Sequence, residues 1–291
     1  MEASRIGYLE IAAAAILWGS NGVIVNVLPL ASYGVAFLRL TVGSAALFVG
    51  LTVTGRLNLL KTSYLRKLSL LGLLLALGWV LLFESMKRLP ISEAVLLNYN
   101  APIFVALLSP VLLRERLEKG TYAAIALASA GVALIAFSRG GPAASRSIIG
   151  VFLGLSAGLA YALFVISSKH TLERVPSLTV SFYSYLIAAA WITPLIIGLD
   201  FELPGNSWIL ILILGVVNTA LAVSVYLHGL KQVKAQDAAV LAYLEPASAT
   251  AFGHVFLRET LNSTAILGGI LIILGGYITL SKARRHPLRG T

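Results

Sequence analysis

A carboxylic acid within an apolar segment is the residue best placed to do chemistry. Glu245 lies about ten residues from either end of the apolar run 235–257, which is long enough to span a bilayer. Pro246 follows it and lacks a backbone N–H, so the carbonyl group of Ala242 loses its helical partner. A carboxylate at such a kink can bind an ammonium group or carry a proton. The competing interpretation is a structural acid that is hydrogen-bonded to a neighbouring helix.

The segment around Glu245 occurs twice in the chain. Residues 87–117 and 231–261 align without a gap at an offset of 144, and ten of the 31 aligned positions are identical. We therefore interpret the two segments as copies of one duplicated structural element, with a helix kink at the proline of each copy. The identical pairs include Tyr99/Tyr243, Pro102/Pro246, Leu113/Leu257, Arg114/Arg258, Glu115/Glu259 and Leu117/Leu261.

Aromatic and amide side chains at mid-span are the further candidates for binding a substrate. Aromatic rings can stack on a ligand or on a cation, and amides supply both a donor and an acceptor. Packing between helices and interhelical hydrogen bonds are the alternative uses of the same residues. Together with Glu245, the predicted substrate-binding residues are Trp18, Asn21, Trp79, Asn98, Tyr99, Tyr161 and Tyr243.

Three more ionisable residues fall within predicted spans, and we regard them with Glu245 as candidates for proton coupling or gating. Arg39 and Glu84 both lie toward the side opposite the N terminus, where they could pair, or Arg39 could extend its charge to the interface. His228 occupies the position that aligns with Glu84 in the repeat and could titrate near neutral pH.

The composition places these residues in a membrane protein. Hydrophobic residues make up 58% of the 291 residues and charged residues only 12%, about half the charged share of a soluble domain. There is no cysteine, and the four histidines show no ligand spacing, so neither a disulfide framework nor a metal site is expected. The sequence also contains no nucleotide-binding or hydrolase motif that we could identify. We therefore expect no cofactor and no nucleic-acid partner, and the net charge of +10 is explained by membrane topology.

Hydropathy predicts an all-α polytopic membrane protein with ten transmembrane helices. The predicted spans, uncertain by about 2–4 residues at each end, are 6–28, 32–53, 66–87, 92–113, 119–138, 147–169, 177–199, 206–230, 235–257 and 263–281.

Lysine and arginine are distributed unequally between the two sides of this topology. Sixteen of the 22 lie on the side that carries both termini, five lie on the other side, and Arg39 lies within a span. The positive-inside rule then predicts cytoplasmic termini. The expected location is a prokaryotic cell (inner) membrane, with the basic C-terminal tail at the cytoplasmic face.

Five spans in each repeat is an odd number, so the second copy must enter the membrane from the opposite side. This inverted-repeat arrangement is typical of secondary transporters, whose sites lie near mid-membrane between the repeats. The expected units are an N-terminal five-helix repeat, 1–140, and an inverted repeat with the basic tail, 147–291.

The chain resembles the EamA-like branch of the drug/metabolite transporter superfamily over about residues 8–281. The resemblance is carried by Ala-Ile-Leu-Trp-Gly-Ser-Asn at 15–21 and by Tyr-Leu-Glu-Pro followed by Leu-Arg-Glu-Thr-Leu at 243–261. One departure is that Arg114 and Arg258 stand where the family often has glycine. The resemblance implies export of small metabolites, often amino acids or related compounds, by alternating access.

We therefore expect a secondary active exporter of amino acids or related amine-bearing compounds, with or without proton coupling, as a monomer or homodimer. An uncoupled exchanger of organic solutes, including nucleotide- or phospho-sugars, is the alternative within transport. A non-transporting receptor and an integral-membrane enzyme are the alternatives outside it. We expect no enzyme, because the sequence offers no complete set of catalytic groups at membrane depth.

Overall fold

The computed structural model is entirely helical in the part of the chain that it describes. That part comprises residues 2–115, 118–138, 147–199, 201, 203, 205, 207–258, 260 and 262–285. The helices of the first repeat are α1 (Glu2–Val27), α2 (Ser32–Val53), a short 3₁₀ helix (Leu57–Leu60), α3 (Leu65–Met86), α4 (Ile91–Asn98), α5 (Ala101–Leu112) and α6 (Lys119–Ser138).

The second repeat follows the same order, except that the counterpart of α3 is divided into an α-helix, a π-helix and a second α-helix. Its helices are α7 (Ile148–Leu172), α8 (Ser177–Ile192), a 3₁₀ helix (Thr193–Ile196), α9 (Ser207–Leu212), a π-helix (Ile213–Leu221), α10 (Ala222–Gln232), α11 (Ala235–Ala242), α12 (Leu244–Leu257) and α13 (Ser263–Arg285). All ten predicted spans are therefore present as helical segments. Nine of the described segments are long and apolar enough to cross a membrane, and the tenth consists of α11 and α12.

The fourth and ninth predicted spans are each broken into two helices. We predict a kink at each proline, but the breaks lie a few residues earlier, at Tyr99–Asn100 and at Tyr243. Pro102 and Pro246 thus fall in the first turn of α5 and α12. Proline is tolerated there because the first-turn N–H groups have no helical partner.

The two repeats pack around an approximate two-fold relation. In the first repeat, α1 packs on α10 and α12, while its counterpart α7 packs on α3 and α5 of the other repeat. The counterparts α2 and α8 contact each other, as do α6 and α13. The first helix of each repeat therefore completes the opposite half, which is the interlocked arrangement expected of inverted repeats.

Glycines permit the close packing of α6 on α13. A Cβ atom at Gly131 would lie 2.4 Å from the carbonyl oxygen of Gly268, and one at Gly268 would lie 2.6 Å from that of Gly131. Such contacts leave no room for a side chain, in agreement with the role of small residues between membrane helices. The last helices of the two repeats thus form a closely packed pair.

The internal repeat extends to the backbone conformation. The aligned residues Arg114 and Arg258 follow α5 and α12 with φ values of 57° and 56°, the left-handed conformation that ends many helices. Glycine is the usual residue at such a position. Arg114 and Arg258 therefore differ from the glycine of the family pattern in their side chains, but their backbone adopts the left-handed conformation that glycine favours.

Candidate functional site

Arg39 of α2 and Glu245 of α12 interact electrostatically inside the bundle, although they belong to different repeats. Both lie deep among the helices, yet both keep some solvent-accessible surface. A cation and an anion at this depth mark a functional site, because isolated charges there are costly.

The Arg39 guanidinium is fixed on one edge. Its Nε donates a hydrogen bond of 3.0 Å to Thr219 Oγ1, and its central carbon lies 5.0 Å from the ring centroid of Trp79. Cation–π stacking of this kind holds the guanidinium plane against the ring. In the described part of the chain, the two Nη groups have no hydrogen-bond partner and are not sealed from solvent. Four N–H donors therefore remain available.

Glu245 presents a similarly open carboxyl group. Among the described residues we find no hydrogen bond to its oxygen atoms, and neither oxygen is sealed from solvent. The interpretation of Glu245 as a structural acid hydrogen-bonded across helices is therefore not supported by this conformation. An acceptor that borders accessible space beside a cation can bind a positively charged ligand group.

The π-helix positions the polar residues that support this site. Its wider turn lets the Thr219 hydroxyl donate to the carbonyl oxygen of Leu214, five residues back, while the same hydroxyl accepts from Arg39. The Asn218 carbonyl accepts from Trp18 Nε1 at 2.9 Å, and its side chain donates to Asn21 Oδ1 at 2.8 Å. Trp18 and Asn21, the two predicted site residues of α1, therefore both contact the π-helix at Asn218.

Aromatic residues complete the centre. The Trp18 and Tyr226 rings lie 5.1 Å apart, and Tyr161 interacts electrostatically with Tyr226, whose buried hydroxyl has no hydrogen-bond partner in the described structure. Tyr161 also interacts electrostatically with Glu245, and Tyr185 with Arg39. The structure thus gathers the predicted residues Trp18, Trp79, Tyr161, Arg39 and Glu245 in one cluster. The sequence analysis did not identify Tyr185, Asn218, Thr219 and Tyr226.

A second group of predicted residues lies at the helix breaks. The rings of Tyr99 and Tyr243 lie 6.4 Å apart, and the Tyr243 hydroxyl donates to the Tyr99 carbonyl oxygen at 2.8 Å. The backbone carbonyl of Asn98, which Pro102 frees, would lie 2.8 Å from a Cβ atom at Gly158. Tyr243 is almost fully buried. In this conformation the contact between Tyr99 and Tyr243 therefore links the break between α4 and α5 to the break between α11 and α12.

Glu84 and His228 lie away from the centre. Glu84 accepts hydrogen bonds from Tyr33, Lys87 and Arg88 near the end of α3, whereas Arg39 bonds to Thr219. The Arg39–Glu84 pair considered from the sequence is therefore not formed, since the helices turn the two side chains toward different neighbours. His228 is exposed and contacts Glu10 of α1 at 2.8 Å.

Polar contacts join the two repeats on the side where α1 begins, which we call the basic side. The Tyr8 hydroxyl donates to Asp237 Oδ2 at 2.8 Å, and Lys234 forms an ion pair with Glu118. Within the second repeat, Lys169 donates to backbone carbonyls at the end of α10 and beyond it, among them that of Leu230 at 2.7 Å. We define the basic-side cluster as Tyr8, Glu10, Glu115, Glu118, Lys169, His228, Lys234 and Asp237.

Glu115 caps a helix of the other repeat within this cluster. Its carboxylate accepts the backbone N–H of Ala235, the first residue of α11, at 2.9 Å. Burial raises the pKa of the Glu115 carboxyl above its ordinary value, and the neighbouring Lys169 ammonium opposes that rise. A carboxylate at a helix N terminus satisfies an otherwise unpaired donor and stabilises the helix.

Replacing Glu115 with alanine is expected to loosen the start of α11. Loss of a cap costs about 1 kcal/mol, which makes the open form of the first turn about five times more populated and its hydrogen exchange about fivefold faster. Hydrogen–deuterium exchange of the peptide that contains residues 235–237 measures this rate. Glu173→Ala, an exposed acid in the loop after α7, is the matched control and should leave the exchange unchanged. Equal exchange in both variants would contradict the capping role.

The fold and the site define a polytopic membrane transporter made of two inverted five-helix repeats, with a charged centre between them. Comparison with known proteins agrees with this class. The model of the EamA-like transporter family matches residues 5–137 and 148–281, one match for each repeat. The chain belongs to this family of the drug/metabolite transporter superfamily, and it is a multi-pass membrane protein and not an enzyme.

Individual relatives extend along almost the whole chain. An uncharacterized transporter of Archaeoglobus fulgidus is 32% identical over 275 residues, covering 94% of this chain and 96% of the relative. A probable terminal-alkyne amino-acid exporter of Streptantibioticus cattleyicolor is 28% identical, with 90% of each protein covered. A protein of known crystal structure superimposes with a TM-score of 0.84 at 22% identity over 98% of both chains, which supports the fold.

Proposed function

We propose that this protein exports amino acids or closely related amine-bearing compounds by alternating access at the central site. The observation that carries the proposal is the open carboxylate of Glu245, which borders accessible space at mid-membrane without a hydrogen bond from any described residue. An ammonium group is the natural ligand of such a carboxylate. The surrounding Trp18, Trp79 and Tyr161 rings suit the aliphatic or aromatic remainder of the same molecule.

The named relative supports this substrate class. The exporter of Streptantibioticus cattleyicolor carries an amino acid by its description and aligns with 90% of this chain. Phosphorylated sugars fit the described centre less well, because they would require several cations, and Arg39 is the cation that the described residues place there.

The transport cycle that we propose moves the repeats 1–140 and 147–291 against each other. The basic-side cluster joins them through contacts such as Glu118–Lys234 and Tyr8–Asp237, so it must separate before the site can open on that side. His228, which contacts Glu10 of the first repeat, is then a gating residue on that side. Glu84, whose contacts remain within the first repeat, is the gating candidate of the other membrane face. Tyr99 and Tyr243 act as the joint between the broken helices, with Asn98 beside them.

Purified protein in liposomes tests the function directly. Vesicles loaded with a mixture of the twenty common amino acids should lose at least one of them faster than protein-free vesicles, as measured by mass spectrometry. The same efflux should accelerate when that amino acid is added outside, because exchange avoids the return of the empty carrier. Loss of phosphorylated sugars but of no amino acid would contradict the proposal.

Coupling to protons is the second part of the proposal, with Glu245 as the proton carrier. A carboxyl group that binds an ammonium in one step and a proton in the next would exchange the two across the membrane. An imposed pH gradient should then drive the amino acid against its concentration gradient. Uncoupled exchange is the alternative, and it predicts that the gradient has no such effect.

The proposed orientation has both termini in the cytoplasm of a prokaryotic cell. The chain contains no cysteine, so single cysteines report their own side of the membrane. Ala31 and Ser63 are exposed residues in the loops after α1 and α2. We expect a membrane-impermeant maleimide to label Ala31→Cys on intact cells and Ser63→Cys only after permeabilisation. The reverse pattern would contradict the orientation, and the cysteine-free parent is the control.

A further inference from the structure

We propose that Arg39 is the carboxylate-binding residue of the central site, so that the substrate is a zwitterion with both a free carboxylate and a free ammonium group. This inference rests on the proposed function and narrows it, because transport of amine-bearing compounds in general requires only Glu245.

The first argument is the geometry of the guanidinium. Thr219 occupies its Nε edge and Trp79 covers one face, which fixes the plane of the group. The two Nη groups remain without a hydrogen-bond partner in the described structure and border accessible space. Arginine presents paired N–H donors that match the two oxygens of a carboxylate. The free edge of Arg39 is therefore shaped for a planar anion.

The second argument is the spacing of the opposite charges. Arg39 and Glu245 interact electrostatically, but no salt bridge between them occurs in the described part of the chain. A purely structural pair at mid-membrane would be expected to close, because direct contact offsets the cost of burying the charges. A zwitterion placed between them supplies one charge to each partner and leaves the net charge of the site unchanged.

The third argument is the way in which the site is supported. Thr219 is fully buried and its hydroxyl is satisfied twice, by Arg39 and by the carbonyl group of Leu214. This support depends on the π-helix, since the hydrogen bond to Leu214 reaches back five residues. Irregular helical turns of this kind are frequent at functional sites. The chain thus uses a local departure from α-helix to hold Arg39 in place.

Blocked amino acids test the inference on the full chain. The probes are the twenty common amino acids, their methyl esters, which lack the carboxylate, and their N-acetyl derivatives, which lack the ammonium. Thermal stabilisation of the purified protein reports binding, and efflux from liposomes reports transport. We expect at least one free amino acid to bind and to be transported, and its ester and N-acetyl derivative to bind on the order of 100-fold more weakly.

The Arg39→Gln variant gives the decisive comparison. Its affinity for the free amino acid should fall on the order of 100-fold, while its affinity for the methyl ester should change little, so that the preference for the free carboxylate disappears. Arg66→Gln, an exposed arginine at the start of α3, should retain the preference. A merely structural role of Arg39 would weaken acid and ester equally.

The outcomes separate this inference from the proposed function. If wild-type protein binds and transports methyl esters or simple amines as well as amino acids, the carboxylate role of Arg39 is wrong and the proposed function stands. If no amino acid, ester or amine binds or is transported, both the carboxylate role of Arg39 and the proposed function are wrong. Because the wild-type comparison needs no variant, it can still overturn the inference where Arg39→Gln fails to fold, since the inference requires a preference for the free carboxylate.

Discussion

Glu245→Gln is expected to lower the transport efficiency, measured as kcat/KM, by about 30-fold or more. The substitution keeps the size of the side chain but removes the negative charge that would face the substrate ammonium. Truncating one partner of a desolvated charge pair costs about 2–5 kcal/mol, and 2 kcal/mol already corresponds to about 30-fold. Initial rates of amino-acid efflux from liposomes at several internal concentrations measure the effect.

The control for this variant is Glu173→Gln, an exposed acid in the loop after α7. It makes the same chemical change outside the membrane and should transport at the wild-type rate. If Glu245→Gln elutes as a monodisperse protein and transports normally, the ammonium site is not at Glu245. If its transport is normal and its dependence on a pH gradient is also unchanged, Glu245 is not the proton carrier either.

Gly268→Val is expected to destabilise the fold by about 1–3 kcal/mol or more, the usual cost of inserting a side chain into closely packed structure. A Cβ atom at this position would lie 2.6 Å from the carbonyl oxygen of Gly131 and 2.9 Å from Ile135 Cγ1. Both neighbours belong to α6, so the valine must push α6 away from α13. Thermal unfolding in detergent, followed by tryptophan fluorescence, measures the loss.

Gly269→Val is the matched control for that prediction. Gly269 is the next residue of the same helix, and a Cβ atom built there meets no atom within 4 Å. The helix propensities of valine and glycine predict equal or slightly higher stability for this variant. Equal destabilisation of the two variants would show that the contact between α6 and α13 contributes little to the fold.

Much of the fold could be predicted from the sequence because the bilayer imposes a length on each apolar segment. The predicted span 235–257 coincides with the outer ends of α11 and α12, and the repeat offset aligns Tyr99 with Tyr243. The breaks in these helices were less predictable. Proline signals a disturbed helix, but the position of the break depends on tertiary contacts, such as the one from Tyr243 to Tyr99.

The π-helix was not predicted, because hydropathy counts apolar residues and does not detect an extra residue in a turn. The neighbouring polar residues Asn218 and Thr219 within an apolar span were the available signal. The proximity of Arg39 to Glu245 had no sequence signal, since the residues are 206 positions apart and belong to different repeats. Arg39 and Glu245 interact only because of where the fold places α2 and α12.

The most direct test of the account is the efflux of amino acids from liposomes that contain the purified wild-type protein. The vesicles are loaded with the twenty common amino acids, and each is measured outside over time. The account predicts that at least one leaves faster than from protein-free vesicles, and that the same amino acid added outside accelerates its exit. Equal loss of every amino acid from both kinds of vesicle would contradict the account.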